Sequence, residues 1–301
     1  MCKICTRKSY SNQFKLALSK NHTESTQMKT IILSHIYNHT FSVDTMSNLM
    51  GHIIPELNVL KETPQDSVFH QEGNVQVHTD SVIQSLYTRN QHNKNTDENV
   101  IILFMSALLH DIGKVYTTKT VTIDNERRVV SPKHESKGAS VLHYQLPDLK
   151  LSFEITHAII QLVRYHHFPK RYTLYNHTRG DFAYLNRAVD VDLLIELCFA
   201  DIYGRICPDP DEQLLQLLIF KEQFEEYGFK SMREYQSIFF SKTATELSPI
   251  QQMHNFSRGI RGIENDDIYM FDEAIAKYYT QTRASPILYI MCGVSGSGKS
   301  T

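Results

Sequence analysis

Ten consecutive residues, Val100 through Leu109, are apolar apart from one serine, and they run directly into His110 and Asp111. Such continuity predicts a helix buried on every side, with Gly113 placed to end it. Ahead of it, Leu49 to Leu60 reads as a helix interrupted at Pro55. Thr63-Pro64-Gln65-Asp66 is a turn signal, and Gly73 makes the stretch from Val68 a loop. His78 then opens a helix over Thr79–Tyr87, with Val82, Ile83 and Leu86 facing inward, and a polar linker, Asn90–Asn99, follows.

Beyond the buried helix, the Val- and Thr-rich stretch Val115–Ile123 predicts a strand. Asp124-Asn125 makes a turn and Arg128–Ser131 returns, giving a small β-hairpin. Helices are expected from His134 to about Tyr144 and over Phe153–Tyr165, the second delivering His166-His167 and ending before Pro169. Arg171–Gly180 reads as an aromatic, polar loop. A strongly apolar helix, Asn186–Ala200, reaches Asp201, and amphipathic helices follow at Glu212–Tyr227 and Met232–Phe240. Lys242–Arg261 has the texture of a linker, Asp267–Tyr279 of a short helix, and Ile287–Cys292 of a buried strand. Residues 1–45 are polar, with short amphipathic pieces at Phe14–Leu18 and Ile31–Tyr37, and predict a weakly ordered arm or a peripheral helix. The resulting plan is an arm (1–45), a helical domain (46–241), a linker with one helix (242–285) and the start of another domain (286–301).

Composition narrows this little. A 301-residue chain with 41% hydrophobic and 21% charged residues is an ordinary globular sequence with room for a substantial core. A formal charge of −2 provides no bulk attraction for nucleic acid or membrane, so any polyanion must be held by a local patch. No run of roughly 18 apolar residues predicts a membrane span, and the N-terminus lacks the apolar core of a signal peptide. Five cysteines without a regular framework fit a reducing, cytoplasmic setting. Cys2 and Cys5 form half a zinc knuckle with no second half nearby. Nothing in the sequence sets the oligomeric state.

The 15 histidines change the picture more. His78, the His110-Asp111 pair, His134, His166 or His167, and Asp201 each begin or follow an apolar segment, which places them at core-facing helix edges. A lone histidine at a helix end is ordinarily a cap; five such points in one domain suggest a shared ligand. A set of imidazoles and carboxylates without thiolates suits one or two divalent ions such as Mn, Fe, Co, Ni, Zn or Mg. An ion of this kind lowers the pKa of a bound water and polarises a phosphoryl oxygen.

This pattern resembles the HD-domain metal-dependent phosphohydrolases, whose minimal signature H…HD…D is matched by His78, His110-Asp111 and Asp201. The surrounding text, from about Glu56 to Arg205, is similar to one HD subfamily. It includes the HD part of bacterial CCA-adding tRNA nucleotidyltransferases and the HD domains fused to polynucleotide kinases in RNA end-healing enzymes. The resemblance implies a mainly α fold, an HD helical bundle with a small hairpin. It implies His78, His110, Asp111 and Asp201 as core ligands, with His134 and His166 for a second ion. Adjacent helical residues point about 100° apart, so either His166 or His167 faces the metal, and His166 is favoured. Asp111 is the expected bridge and catalytic centre, and Lys114 and Arg205 are phosphate contacts. Arg205 also lies one turn from Asp201, where a plain salt bridge is the competing role. His70 and Glu72 complete or support the site, or cap structure locally.

Gly293-Val-Ser-Gly296-Ser-Gly298-Lys299-Ser300-Thr301 fits the Walker A pattern and follows the strand that this mechanism requires. Its backbone N–H groups would cradle the phosphates of ATP, Lys299 would neutralise them and Ser300 would ligate Mg²⁺. Because the chain ends there, before any Walker B carboxylate, the sequence reads as part of a longer HD–kinase fusion, with a truncated α/β kinase domain. The expected chemistry is metal-assisted hydrolysis of RNA 2′-, 3′- or 2′,3′-cyclic phosphate ends. The alternatives are a nucleotide or cyclic-nucleotide phosphohydrolase and a non-catalytic nucleotide-binding module.

Overall fold

The structure, a computed structural model, describes residues 25–174, 177–243 and 247–278. The strand at Ile287–Cys292 and the Walker A residues from Gly293 to Thr301 lie outside them, as do Phe14–Leu18 and Cys2 to Cys5. The chain divides into two compact units, Met1–His177 with Leu185–Phe229, and Thr178–Tyr184 with Lys230–Thr301.

The first unit begins with a helix over 25–37 (α1), whose Ile32 and Ile36 are fully buried and whose Ile36 carbonyl accepts from the Tyr87 hydroxyl. Of the two readings the sequence left for this region, arm or helix, residues 25–37 take the helical one. Next come α2 (Val43–Met50) and a 3₁₀ segment, Pro55–Glu62, so the chain turns before Pro55 and the proline opens the next element. α3 (Val75–Thr88) starts three residues ahead of His78, because the Asn74 side chain caps it by accepting from Val77 N. The expected linker at 90–99 instead holds a single turn, α4 (Gln91–Lys94), and the Thr96 cap of α5 (Asp97–Leu109).

α5 is the axis of the unit. Every residue from Val100 to Leu109 is buried, and the helix packs against α3, α8 (Phe153–Tyr165) and α10 (Val191–Tyr203). Each large apolar side chain removed from water contributes roughly 1.5–3 kcal/mol, which holds the helix in one place. Asp97–Thr117 is also the one stretch among the described residues long and apolar enough to cross a membrane, but 83% of its most apolar window lies inside the protein's own core.

After Asp111 the chain makes another helical turn, α6 (Lys114–Thr117), where the Val/Thr composition predicts a strand. Local bonds win there over β propensity: Thr118 N donates to Lys114 O, and the Thr117 hydroxyl to Gly113 O. The hairpin is correspondingly shorter, β1 (Lys119–Ile123) paired with β2 (Glu126–Val130), and Asp124 and Asn125 both take positive φ in its two-residue turn. Asp66 anchors it, accepting from Arg128 Nε and Nη2 and from Val129 N. α7 (His134–Gln145) and α8 follow as predicted, the latter capped by Ser152.

The expected single helix at Asn186–Ala200 is two. α9 (Arg179–Ala188) ends, Asp190 caps α10 by accepting from Leu193 N, and α10 runs on to Tyr203, so Asp201 sits within the helix rather than after it. Gly204 lets the end of α10 meet α3 closely; a Cβ there would stand 2.7 Å from Val82 N. α11 (Pro210–Tyr227) completes the unit. In the second unit, α12 (Met232–Lys242) is followed by α13 (Pro249–Glu264), which occupies the predicted linker and packs on α14 (Phe271–Tyr278). A capping box from Ser248 and Gln251, with Pro249 at the first position, starts α13.

Candidate metal centre

Five elements converge on the end of α5. His78 lies on α3, His110 and Asp111 follow α5, His134 opens α7, His166 follows α8, and Asp201 lies on α10; all six are at most 4% exposed. The close approach of α7 depends on Gly113, where a Cβ would run into the His134 carbonyl. His78, His110 and Asp201 present ligand atoms within 4.8 Å of one another. His78 Nε2 is 3.3 Å from His110 Nε2 and 3.2 Å from Asp201 Oδ1. His134, His166 and His167 form another such group.

Asp111 stands between the two. Its Oδ2 is 3.3 Å from His110 Nε2 and 3.6 Å from His78 Nε2, while its Oδ1 is 3.0 Å from His134 Nε2. One carboxylate thus offers one oxygen to each group, the geometry of a bridging ligand.

Three imidazoles are held the same way. His110, His134 and His166 each direct Nδ1 at the carbonyl three residues back, Ala107 O at 2.8 Å, Ser131 O at 2.8 Å and Val163 O at 2.7 Å. A carbonyl only accepts, so Nδ1 carries the proton and, in the neutral ring, Nε2 keeps its lone pair toward the centre. His166 Nε2 is buried with no hydrogen-bond partner. His78 is oriented by Glu72, whose Oε1 lies 3.0 Å from His78 Nδ1 and 2.8 Å from His70 Nδ1. Carboxylate–imidazole pairs of this kind fix the tautomer of a metal-ligating histidine. Glu72 and His70 therefore sit behind the first group, tied to the end of α10 through Ile206 N donating to Glu72 Oε2.

Charge is balanced locally. Burial works against ionising Asp111, but the Lys114 ammonium 2.6 Å away, with His110 and His134, holds its carboxyl well below the usual range. Asp201 behaves alike: Lys170, which pairs with Oδ2, and Arg205, 3.2 Å from Oδ1, outweigh its burial. Arg205 thus makes the salt bridge foreseen for it and also lines the cleft. Lys170 was not anticipated; its signal was a lysine directly after the His166-His167-Phe168-Pro169 run. Burial lowers the Lys170 ammonium, and Asp201 restores only part of that. Burial also drives His166 and His167 well below the usual imidazole range, reinforced by the neighbouring rings, and brings His70 down to about 4. In His110, burial is outweighed by Asp111 and Asp201, and its value rises. Cys198 is packing: burial lifts its thiol to about 12, and Sγ donates to His166 O.

A buried set of imidazole nitrogens and ionised carboxylates, with an orphaned His166 Nε2, fits a divalent metal. His78, His110 and Asp201 fit it as a unit. Beside the centre opens a cleft of about 360 Å³, lined by Lys114, His70, His134, His167, Arg171 and Arg205 and walled by the hairpin residues Val129 and Val130.

Residues 77–206 match the family model described as HD domain, a span that contains all six buried centre residues and Arg205. The match supports a metal-dependent phosphohydrolase of the HD superfamily. No curated protein and no solved structure matches the chain.

Proposed function

We propose that this HD domain hydrolyses phosphoesters at RNA ends, namely 2′-, 3′- or 2′,3′-cyclic phosphates. The observation that carries the reading is Asp111 set between two nitrogen-rich groups, beside a cleft with three cationic side chains, Lys114, Arg171 and Arg205. Divalent ions such as Mn, Ni, Co, Fe or Zn, one per group, would supply Lewis acidity and an acidified water. Lys114 and Arg205 then neutralise the phosphoryl oxygens, and Asp111 and Asp201 stay ionised to hold the ions. His70 lines the same cleft with Nδ1 tied to Glu72, and the leaving alkoxide takes its proton from water.

In the same reading, Gly293, Gly296, Gly298, Lys299, Ser300 and Thr301 bind ATP and Mg²⁺ in a polynucleotide kinase domain. The whole protein heals RNA or tRNA breaks in the cytoplasm, removing the blocking phosphate on one side and phosphorylating the 5′-hydroxyl on the other. The test is hydrolysis by the purified chain, loaded with Mn²⁺, Ni²⁺ or Co²⁺, of RNA ending in a 2′,3′-cyclic phosphate, of 2′-nucleotides and of cyclic nucleotides. Turnover of RNA ends is expected. Turnover of free nucleotides alone rejects the RNA assignment, and tight nucleotide binding with no turnover rejects the enzyme.

A further inference from the structure

A second cavity, about 330 Å³, adjoins the catalytic cleft and shares His167 and Arg171 with it. Its remaining character differs from the first. Arg164 is an exposed residue of α8 with its guanidinium 5.8 Å from the Tyr165 ring, and Phe168 and His177 form a ring pair at 4.4 Å between centroids and 33° between planes. Glu135 also lines it, and lies 3.6 Å from Arg171 Nη1, so its charge is already matched. The cavity therefore offers cationic groups and aromatic faces, with Glu135 already paired to Arg171 and His177 paired with the Phe168 ring, in a chain whose overall charge is −2.

We infer that this cavity is a second nucleotide subsite: with the reacting phosphate over Asp111, the neighbouring phosphodiester meets Arg164 and Arg171 and the neighbouring base stacks on the Phe168–His177 pair. Guanidinium groups recognise phosphate oxygens through paired N–H donors, and planar rings hold bases without regard to sequence. A single nucleotide fills the first cleft alone, whereas an oligonucleotide end occupies both. The inference rests on the phosphoester reading and sharpens it: the preferred substrate is a strand of at least two nucleotides.

The test uses the full chain stripped of metal with a chelator, so that no hydrolysis intervenes, and measures equilibrium binding of a ribodinucleotide 3′-phosphate against a mononucleoside 3′-phosphate. The dinucleotide should bind roughly tenfold tighter, the size of one good charged phosphate contact. Arg164→Ala, a surface change outside the buried centre, should bring the two ligands within about twofold of each other. Arg171→Ala should weaken both, because it borders both cavities. Equal binding in the unaltered chain, or a tenfold gap that survives Arg164→Ala, overturns the subsite. Hydrolysis of a small chromogenic phosphodiester by the metal-loaded chain separates the failures. Its absence rejects the phosphohydrolase, whereas its presence without a dinucleotide preference rejects only the second subsite.

Discussion

The two ligand groups flanking Asp111 both contain histidines, but only the first adds a carboxylate of its own, Asp201, and the two differ in charge. Around His78, His110 and Asp201 the carboxylates are ionised, each with a lysine close by, and His110 is held toward its protonated form. Around His134, His166 and His167 the ligands are all imidazoles, the rings at 166 and 167 are kept neutral by burial, and Asp111 Oδ1 faces His134 Nε2 while Glu135 Oε2 lies 3.7 Å behind the same ring at Nδ1. A cation entering the first group takes over neutralisation that lysine and arginine already provide. The three rings of the second group carry no negative charge, so their hold on an ion depends on the bridge. Metal affinity should accordingly be strong and cooperative through Asp111 rather than equal at two independent sites.

Removing the bridge should therefore have the largest effect. Asp111→Ala is expected to lower kcat/KM by on the order of a thousandfold or more and to strip both groups of metal while the helical circular dichroism persists; full metal occupancy by elemental analysis of that variant would show that the bridge is not the centre. Asp201→Ala should cost stability as well as the first ion, because Lys170 is left buried without a counter-charge. About 3–5 kcal/mol is expected, read from denaturant unfolding of the metal-free chain, and a variant as stable as the parent would contradict the buried pair. His166→Ala should spare the first group, reducing the bound metal toward one ion and activity by roughly 10–100-fold. Loss of both ions there would erase the distinction between the groups. Glu72→Gln should be mildest in this series, about tenfold in affinity and confined to the first group.

A pH series on the metal-free chain sharpens the contrast. His166 and His167 have folded values below the unfolded value of about 6.5, so their contribution to stability is complete above that pH and is lost as pH falls toward the depressed values. His110 has a raised value, so its contribution is present below about 6.5 and is lost as pH rises through the folded value. His166→Asn should flatten the acid-side loss of melting temperature, and His110→Asn the loss on the alkaline side. Identical profiles for the two variants would mean that the groups share one electrostatic character.

Much of the centre was legible because its residues are punctuation as well as ligands. His110-Asp111 ends an apolar run, His166 ends α8 and His134 opens α7, so helix periodicity located all three. The break between α9 and α10 was hidden because Ala188, Val189 and Val191 continue the apolar texture across it, and only Asp190 marks the new start. α13 was missed because its polar composition outweighed the short signal of Ser248, Pro249 and Gln251. Lys170 carried no periodic signature; its partner lies 31 positions away on another helix, and only packing reveals the pair. Pairing across helices also sets the role of Glu72, which no local pattern distinguishes from a loop carboxylate.

The way His110 and His166 are held has a consequence for anyone wishing to transplant this chemistry. Each sits one residue past a helix and uses a terminal carbonyl of that same helix, three positions back, as its clamp. Helix ends carry unpaired carbonyls in any case, so the clamp requires no residue from elsewhere in the chain. A four-residue cassette, ending in histidine at the last turn of any helix whose axis points at a chosen spot, is thus a self-contained ligand arm. Converging two or three such termini is then a problem of helix length alone, and a scaffold builder could set it by adding or deleting single residues before the terminus.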